Sequence, residues 1–215
     1  MSKYIELTNP HRRKHFDFFK SMDQPHFNIC ANVEISAFLR FIKEEELPFT
    51  PTLVYFVARV ANEIAEFRWR VREDQILEHE TVHPSFTVNT EATDVFSFCT
   101  VDYYQDFPVF IENTLKVMEE MLTKPSMEDD ENRDDFLFLS AIPWISFTSF
   151  FHAMHYTPAD SVPRITWGKY FTEGNKIQMP LSVQAHHAVV DGRHTGKYFQ
   201  LFQQYMKEPS VVLLS

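Results

Sequence analysis

The stretch that most constrains this chain lies near its end, in "RITWGKYFTEGNKIQMPLSVQAHHAVVDGRH". Up to Val190 the residues read as strand, broken by "EGN", a glycine-containing turn that makes a hairpin. At Asp191-Gly192 the period changes to that of a helix. Tyr198, Phe199, Phe202, Tyr205 and Met206 recur at helical spacing, and the helix stops before Pro209. A chain that closes this way has to combine sheet and helix.

The rest of the sequence keeps to that mixture. "HRRKHFDFFKSM", just after Asn9-Pro10, reads as a short helix with a proline near its start. "HFNICANVEI" alternates like a strand. "SAFLRFIKEEE" reads as a helix with a serine at its start and acids at its end, mildly against the helix dipole. "TPTLVYFVARVANEIAEF" is the strongest helix, with Leu53, Val54, Phe56, Val57, Val60, Ala61 and Ile64 in helical period. "QILEHETVHPSFTVNT" and "VFSFCTVDY" read as strands of an antiparallel meander, and "FPVFIENTLKVMEEMLTK" as another amphipathic helix. "PSMEDDENRDD" is acidic and reads as an exposed connection, and "FLFLSAIPWISFTSFFH" as strand. Helices and strands mix without regular alternation, so the expected class is α+β.

With 215 residues, a single domain spanning 1–215 is expected. Twenty-two phenylalanines against 4 glycines carry too much ring area for a disordered chain. The net charge of −10 argues against nucleic acid and against anionic membrane surfaces as partners. Cys30 and Cys99 allow one bridge at most and have no zinc-ligand spacing. The opening "MSKYIELTNPHRRKH" is polar, and no apolar run approaches a membrane span. A soluble, cytoplasmic protein is the expectation.

"QAHHAVVDGRH" admits three readings. Asp191 can simply cap the helix that follows it, with Gly192 as a turn residue. His186, His187, Asp191 and His194 can be a metal site, but neighbours on a strand point to opposite faces, so His186 and His187 cannot easily share an ion. Or His187 can stand at the strand end as a base. A neutral imidazole takes a proton from a hydroxyl or thiol, provided its other nitrogen is held by an acceptor. A buried Asp191 then needs an arginine, and "HRR" near the N-terminus offers one. Gly192 would let backbone or substrate come close.

"IPWISFTSF", "TWGKYFTEGN" and "MPLSVQAHHAVVDGRH", in this order and spacing, resemble the chloramphenicol acetyltransferase family, as do "NPHRRKHFDFF" and "RWRV". The resemblance covers essentially the whole chain. It implies a two-layer α+β sandwich, a mixed sheet with helices packed on it. It implies acetyl-CoA as co-substrate, no metal, and transfer of acetyl to a hydroxyl of chloramphenicol by direct attack, with His187 as general base. It makes Asp191 a structural aspartate paired with Arg12, or failing that Arg13. It makes Ser149 the oxyanion donor, Thr166 the holder of a water near the intermediate, and Tyr170 an aromatic at the CoA site. Phe19 and Phe96 would line the acceptor pocket. It also implies a homotrimer with sites between subunits, and a part in antibiotic resistance.

The match has departures. Val190 and Arg193 replace a cysteine and an aromatic of the family run, and Phe19 stands where the family has a tyrosine. "KSMDQPHF" replaces an apolar stretch. These changes bear on the acceptor more than on the chemistry. Two other readings therefore stand beside the first: an acyltransferase with another acceptor, such as a xenobiotic hydroxyl or a dihydrolipoyl thiol, and a low-turnover drug-binding protein. Dihydrolipoyl acyltransferase cores share H-H-x-x-x-D-G but usually carry N-terminal lipoyl segments, whereas this chain is expected to open directly on the domain. Trp144 and Trp167 read as core residues.

Overall fold

A computed structural model describes residues 2–90, 94–127 and 133–213. Ten strands and six α-helices run through the described residues. In chain order the first are β1 (Lys3–Ile5), α1 (Pro10–Lys20), β2 (His26–Glu34), α2 (Ser36–Glu44), α3 (Phe49–Asn62), β3 (Trp69–Arg72), β4 (Gln75–Glu78), β5 (His83–Asn89) and β6 (Phe96–Thr100). Then come α4 (Phe107–Thr123), β7 (Phe136–Ile142), β8 (Arg164–Gly168), β9 (Phe171–Glu173), β10 (Lys176–His186), α5 (Gly192–Lys207) and α6 (Pro209–Leu213). The centre of the acidic connection, residues 128–132, lies outside the described residues.

The helices start where local chemistry supplies an acceptor for their free amides. Asn9 Oδ1 accepts from the amides of His11 and Arg12 at 2.9 and 3.2 Å, with Pro10 next in line. Asp106 Oδ1 accepts from Val109 N at 3.0 Å. Ser36 departs from this pattern. It is the first residue of α2 and not its cap, and its hydroxyl accepts from Ile177 N at 2.9 Å, tying α2 to β10. α3 is buried on nearly every side, from Pro51 to Ala58 and at Val60 and Ala61, which is why its sequence is apolar almost all round.

The main sheet is mixed. Its described strands run in the order β2-β10-β8-β7-β5-β6, with β9 also paired to β10. β7 is parallel to both β5 and β8, and the other pairs are antiparallel. Gly174 turns the β9–β10 hairpin with φ 61°, a conformation that favours glycine. Of the antiparallel meander expected across "QILEHETVHPSFTVNT" and "VFSFCTVDY", the β5–β6 pair forms but β4 does not join it. β4 leaves for a small sheet of order β1-β4-β3, and β5 joins the main sheet. An alternating pattern marks a strand but not its partner, and the Glu73 turn at φ 49° sends β4 back onto β3. "FLFLSAIPWISFTSFFH" is strand only as far as Ile142. Pro143 has no amide to extend the ladder, and the chain runs irregularly to Pro163.

The two faces of the sheet differ. Leu139, Ile165, Trp167, Leu181 and Val183 join residues of the helices in one apolar cluster. Phe138, Ser140, Arg164, Thr166, Ser182 and Gln184 alternate with them and occupy the opposite face. There they meet the irregular segment 143–163: Asn28 Nδ2 and Ser182 Oγ reach Phe150 O, and Gln184 Nε2 reaches Met154 Sδ. These polar side chains of the sheet therefore gather on the face that segment 143–163 covers.

Candidate active site

β10 ends at His186, and the next residue leaves the strand. His187 N donates to Pro25 O at 2.8 Å, which fixes the backbone of the turn. The half-buried His187 ring stacks on Phe19, with centroids 3.8 Å apart and planes 19° from parallel. Phe27 packs against it at 4.7 Å and His15 meets it edge-on at 5.4 Å. Its Nδ1 is buried and accepts or donates no hydrogen bond among the described residues, so Nε2 is the nitrogen left to meet a substrate. Ring packing positions this histidine, where an acceptor on Nδ1 was expected. Phe19 was expected to line the acceptor pocket, and the structure places it directly against the imidazole.

His186 points the other way. Its ring meets His26 at 5.0 Å, and its Nδ1 accepts from Ala188 N at 3.2 Å. Burial pushes the pKa of His186 down to about 3 and that of His26 to about 4, so both are neutral. Among the described residues, no group of three or more histidine, cysteine or acidic side chains is placed to hold a metal ion.

Asp191 is the N-cap of α5. Its Oδ1 accepts from Arg193 N at 2.8 Å and His194 N at 3.3 Å, while His194 Nδ1 accepts from Asp191 N at 3.2 Å. This is a capping box closed by histidine. Burial alone would raise the carboxyl pKa, but His194 and the two amides outweigh it, and the net shift is downward. Arg12 does not pair with Asp191, because the carboxylate is turned into its own helix. Arg12 Nη2 donates to Val189 O at 2.8 Å, Nη1 lies 3.0 Å from His15 Nδ1, and the guanidinium sits over Trp69 at 5.7 Å. It holds the 187–190 turn by a carbonyl. Arg13 pairs with Asp17 at 3.0 Å and also leaves Asp191 alone. Within this chain nothing crowds Gly192: a Cβ there would meet no atom within 4 Å.

A second cluster lies on the open face of the sheet. A cavity of about 700 Å³ is lined by Phe96, Phe98, Phe138, Ser140, His152 and Arg164, among others. Thr166 lies beneath it, fully buried, with Oγ1 2.7 Å from His152 Nε2. Its hydroxyl is covered by His152. Ser149 is exposed on the irregular segment, outside this lining. The serine level with Thr166 is Ser140, its register partner on β7. Ser140 lines the cavity and makes no side-chain hydrogen bond among the described residues. Ser140 and His152 were not among the expected residues. Ser140 had a signal, a polar residue interrupting the alternation of "FLFLSAI"; His152 had none.

Thr166 pairs with Ser182, four residues short of the end of β10, which separates it from His186 by about 13 Å along the strand. Within one chain the histidine and the hydroxyl cluster therefore lie at separate places along the strand. A third hollow, of about 600 Å³, lies between the helices and β8 and is lined by Leu39, Lys43, Phe49, Trp167, Lys169 and Tyr170. Tyr170 is half exposed there, 6.2 Å from the Phe49 ring. Trp167 is core on one side of this hollow, whereas Trp144 is 70% exposed and not a core residue.

Known proteins share this architecture. The family model "Chloramphenicol acetyltransferase" matches residues 2–203. A chloramphenicol acetyltransferase from Klebsiella sp is 35% identical over 209 residues, covering 95% of this chain and 93% of that protein. One from Clostridium perfringens is 32% identical over 205 residues, covering 93% and 92%. Among solved structures, a chloramphenicol acetyltransferase superposes with a TM-score of 0.86 at 24% identity, over 96% of this chain and all of that one. A dihydrolipoamide acetyltransferase of Azotobacter vinelandii shares the fold with a TM-score of 0.70 at 15% identity, over 93% and 88%. The matched run ends inside α5 and takes in the His187 turn, the Asp191 cap and the hydroxyl cluster together, and on this breadth and identity the chain belongs to the chloramphenicol acetyltransferase family.

Proposed function

We propose that the protein is an acetyl-CoA-dependent O-acetyltransferase whose acceptor is a hydroxyl of chloramphenicol or of a related compound, and that its 215 residues work as one domain. The observation that carries the reading is His187, held by the Phe19 stack with Nε2 free at the end of β10. His187 Nε2 takes the hydroxyl proton as the oxygen attacks the thioester carbonyl. The carbonyl oxygen becomes an oxyanion, which needs a placed donor. Ser140 is the better candidate than Ser149, since it lines the cavity and stands level with Thr166. Collapse of the intermediate breaks the C–S bond, and the proton on His187 passes to the departing thiolate.

The hollow with Tyr170, Phe49 and two lysines is the proposed path for CoA, where rings can take the base and cations the phosphates. Since His187 and the hydroxyl cluster lie apart in one chain, we assign each complete site to two copies, as in a homotrimer. No helix among the described residues is long and apolar enough to cross a membrane; the proposed place of action is the cytoplasm, because the proposed co-substrate acetyl-CoA is available there. Drug resistance would follow if chloramphenicol is the working acceptor.

The test is thiol release from acetyl-CoA by the pure protein, with and without chloramphenicol, beside His187→Ala. Release that requires both the drug and His187 supports donor, base and acceptor together. Release driven by dihydrolipoamide but not by chloramphenicol would replace the acceptor. Full activity of His187→Ala would remove the base.

A further inference from the structure

Thr166 sits in the middle of a row of hydroxyl residues, between Ser140 on β7 and Ser182 on β10. Its own hydroxyl has no exposed surface, and what covers it is the imidazole of His152 at 2.7 Å. The backbone and the ring of His152 are each held by a further contact. His152 N donates to Gln184 Oε1 at 2.9 Å, and the Phe150 ring packs against it near edge-on, at 4.9 Å and 82°. Burial, helped by the charge of Arg164, lowers its pKa to about 4, so at neutral pH it carries one ring hydrogen. With Nε2 engaged by Thr166, the other nitrogen, Nδ1, has no partner among the described residues and is not sealed from solvent. The ring lines the 700 Å³ cavity, facing Phe96, Phe98 and Ser140.

We propose that His152 is the specificity-determining residue of the acceptor cavity: Thr166 anchors its ring through Nε2, and its Nδ1 edge hydrogen-bonds a second polar group of the acceptor. The substrate class is then an alcohol with a further hydroxyl or amide near the reacting hydroxyl, held against the Phe96–Phe98–Phe138 wall. A purely apolar alcohol would leave Nδ1 unpaired and bind poorly. The assignment rests on the acetyltransferase reading only for the identity of the second reactant, since the His152–Thr166 pair exists in the free protein.

Two measurements test it. The first is steady-state kinetics of His152→Leu and His152→Gln with chloramphenicol and acetyl-CoA. Glutamine places an amide where the imidazole nitrogen stood; leucine fills the space without one. In His152→Leu the acceptor KM rises about tenfold, with the acetyl-CoA KM changed less than about twofold, and His152→Gln recovers most of the loss. An unchanged acceptor KM in His152→Leu, or a glutamine variant as impaired as leucine, overturns the proposal.

The second is the ¹⁵N spectrum of the imidazoles in the resting protein. Thr166→Val must shift the His152 Nε2 resonance, and added chloramphenicol must shift Nδ1. No change at Nε2 in Thr166→Val overturns the His152–Thr166 anchor. If the wild-type protein neither binds nor acetylates chloramphenicol, the acceptor reading fails, and the Thr166→Val spectrum then decides the His152–Thr166 pair without it.

Discussion

At His187 the structure orients the ring without holding its second nitrogen, since Nδ1 has no partner among the described residues. Orientation comes from the stacked Phe19 ring at 3.8 Å, not from a carboxylate. Replacing His187 by alanine should lower turnover by about 10²–10⁴ while leaving circular dichroism and melting nearly unchanged, because the ring is half exposed. A matching loss of fold would instead make it structural. Three other histidines, His26, His152 and His186, are held neutral by burial, with pKa values lowered from 6.5 to about 4, 4 and 3. The unfolded chain binds protons at these positions below pH 6.5, and the folded chain does not until near pH 4. Stability is therefore greatest above pH 6.5 and falls as the pH drops through that window, by up to about 1.4 kcal/mol per unit for each such residue. Urea unfolding at pH 7 and pH 5 should show the drop, and His26→Phe should flatten it. A slope that His26→Phe leaves unaltered would mean His26 titrates normally.

Among the elements, α5 and the β3–β4 hairpin show how side chains settle what the backbone leaves open. Asp191 caps α5 through backbone amides, and no ion pair joins it to Arg12 among the described residues. Asp191→Ala should cost about 1 kcal/mol, and Asp191→Asn less, since asparagine caps as well as aspartate and gives up only the carboxylate charge that His194 favours. If Asp191→Asn is as damaging as alanine, the charge matters and an Arg12 pairing is restored as the explanation. Arg70 plays the larger structural part. It is fully buried and donates to the carbonyls of Phe67, Trp69, Asp134 and Phe136, which fastens the small sheet to β7. Burial lowers its pKa to about 10, still far above neutral. Arg70→Met should leave these acceptors unpaired and destabilise by about 3 kcal/mol, read from denaturant midpoints.

For the whole molecule the question is whether His187 and the hydroxyl cluster, set about 13 Å apart along β10, act together. If each site takes His187 from one copy and the hydroxyl cluster from the next, two inactive variants can repair each other. His187→Ala and a cavity variant such as Ser140→Ala, unfolded and refolded together, should regain about a quarter of the sites by random assembly. Separately each stays near zero. No recovery on mixing, with mixed oligomers confirmed by mass, would place the whole site in one chain and overturn the shared assignment.

Read by itself, the sequence determined the α+β class, most of the elements, the strand end at the histidine pair and the cap at Asp191. Each of these depends on neighbours two to four residues away, through side-chain alternation, helical spacing or a capping contact. What the tertiary structure decided are pairings between distant segments. It put Ser140, not Ser149, level with Thr166, because register between β7 and β8 is set by the packing of whole strands. It gave Arg12 a carbonyl in place of Asp191, sent β4 to a different sheet from β5, and closed His152 over Thr166. None of these leaves a local trace, since the groups that meet are brought together only when the apolar face of the sheet is buried and the polar face is left to fold over itself.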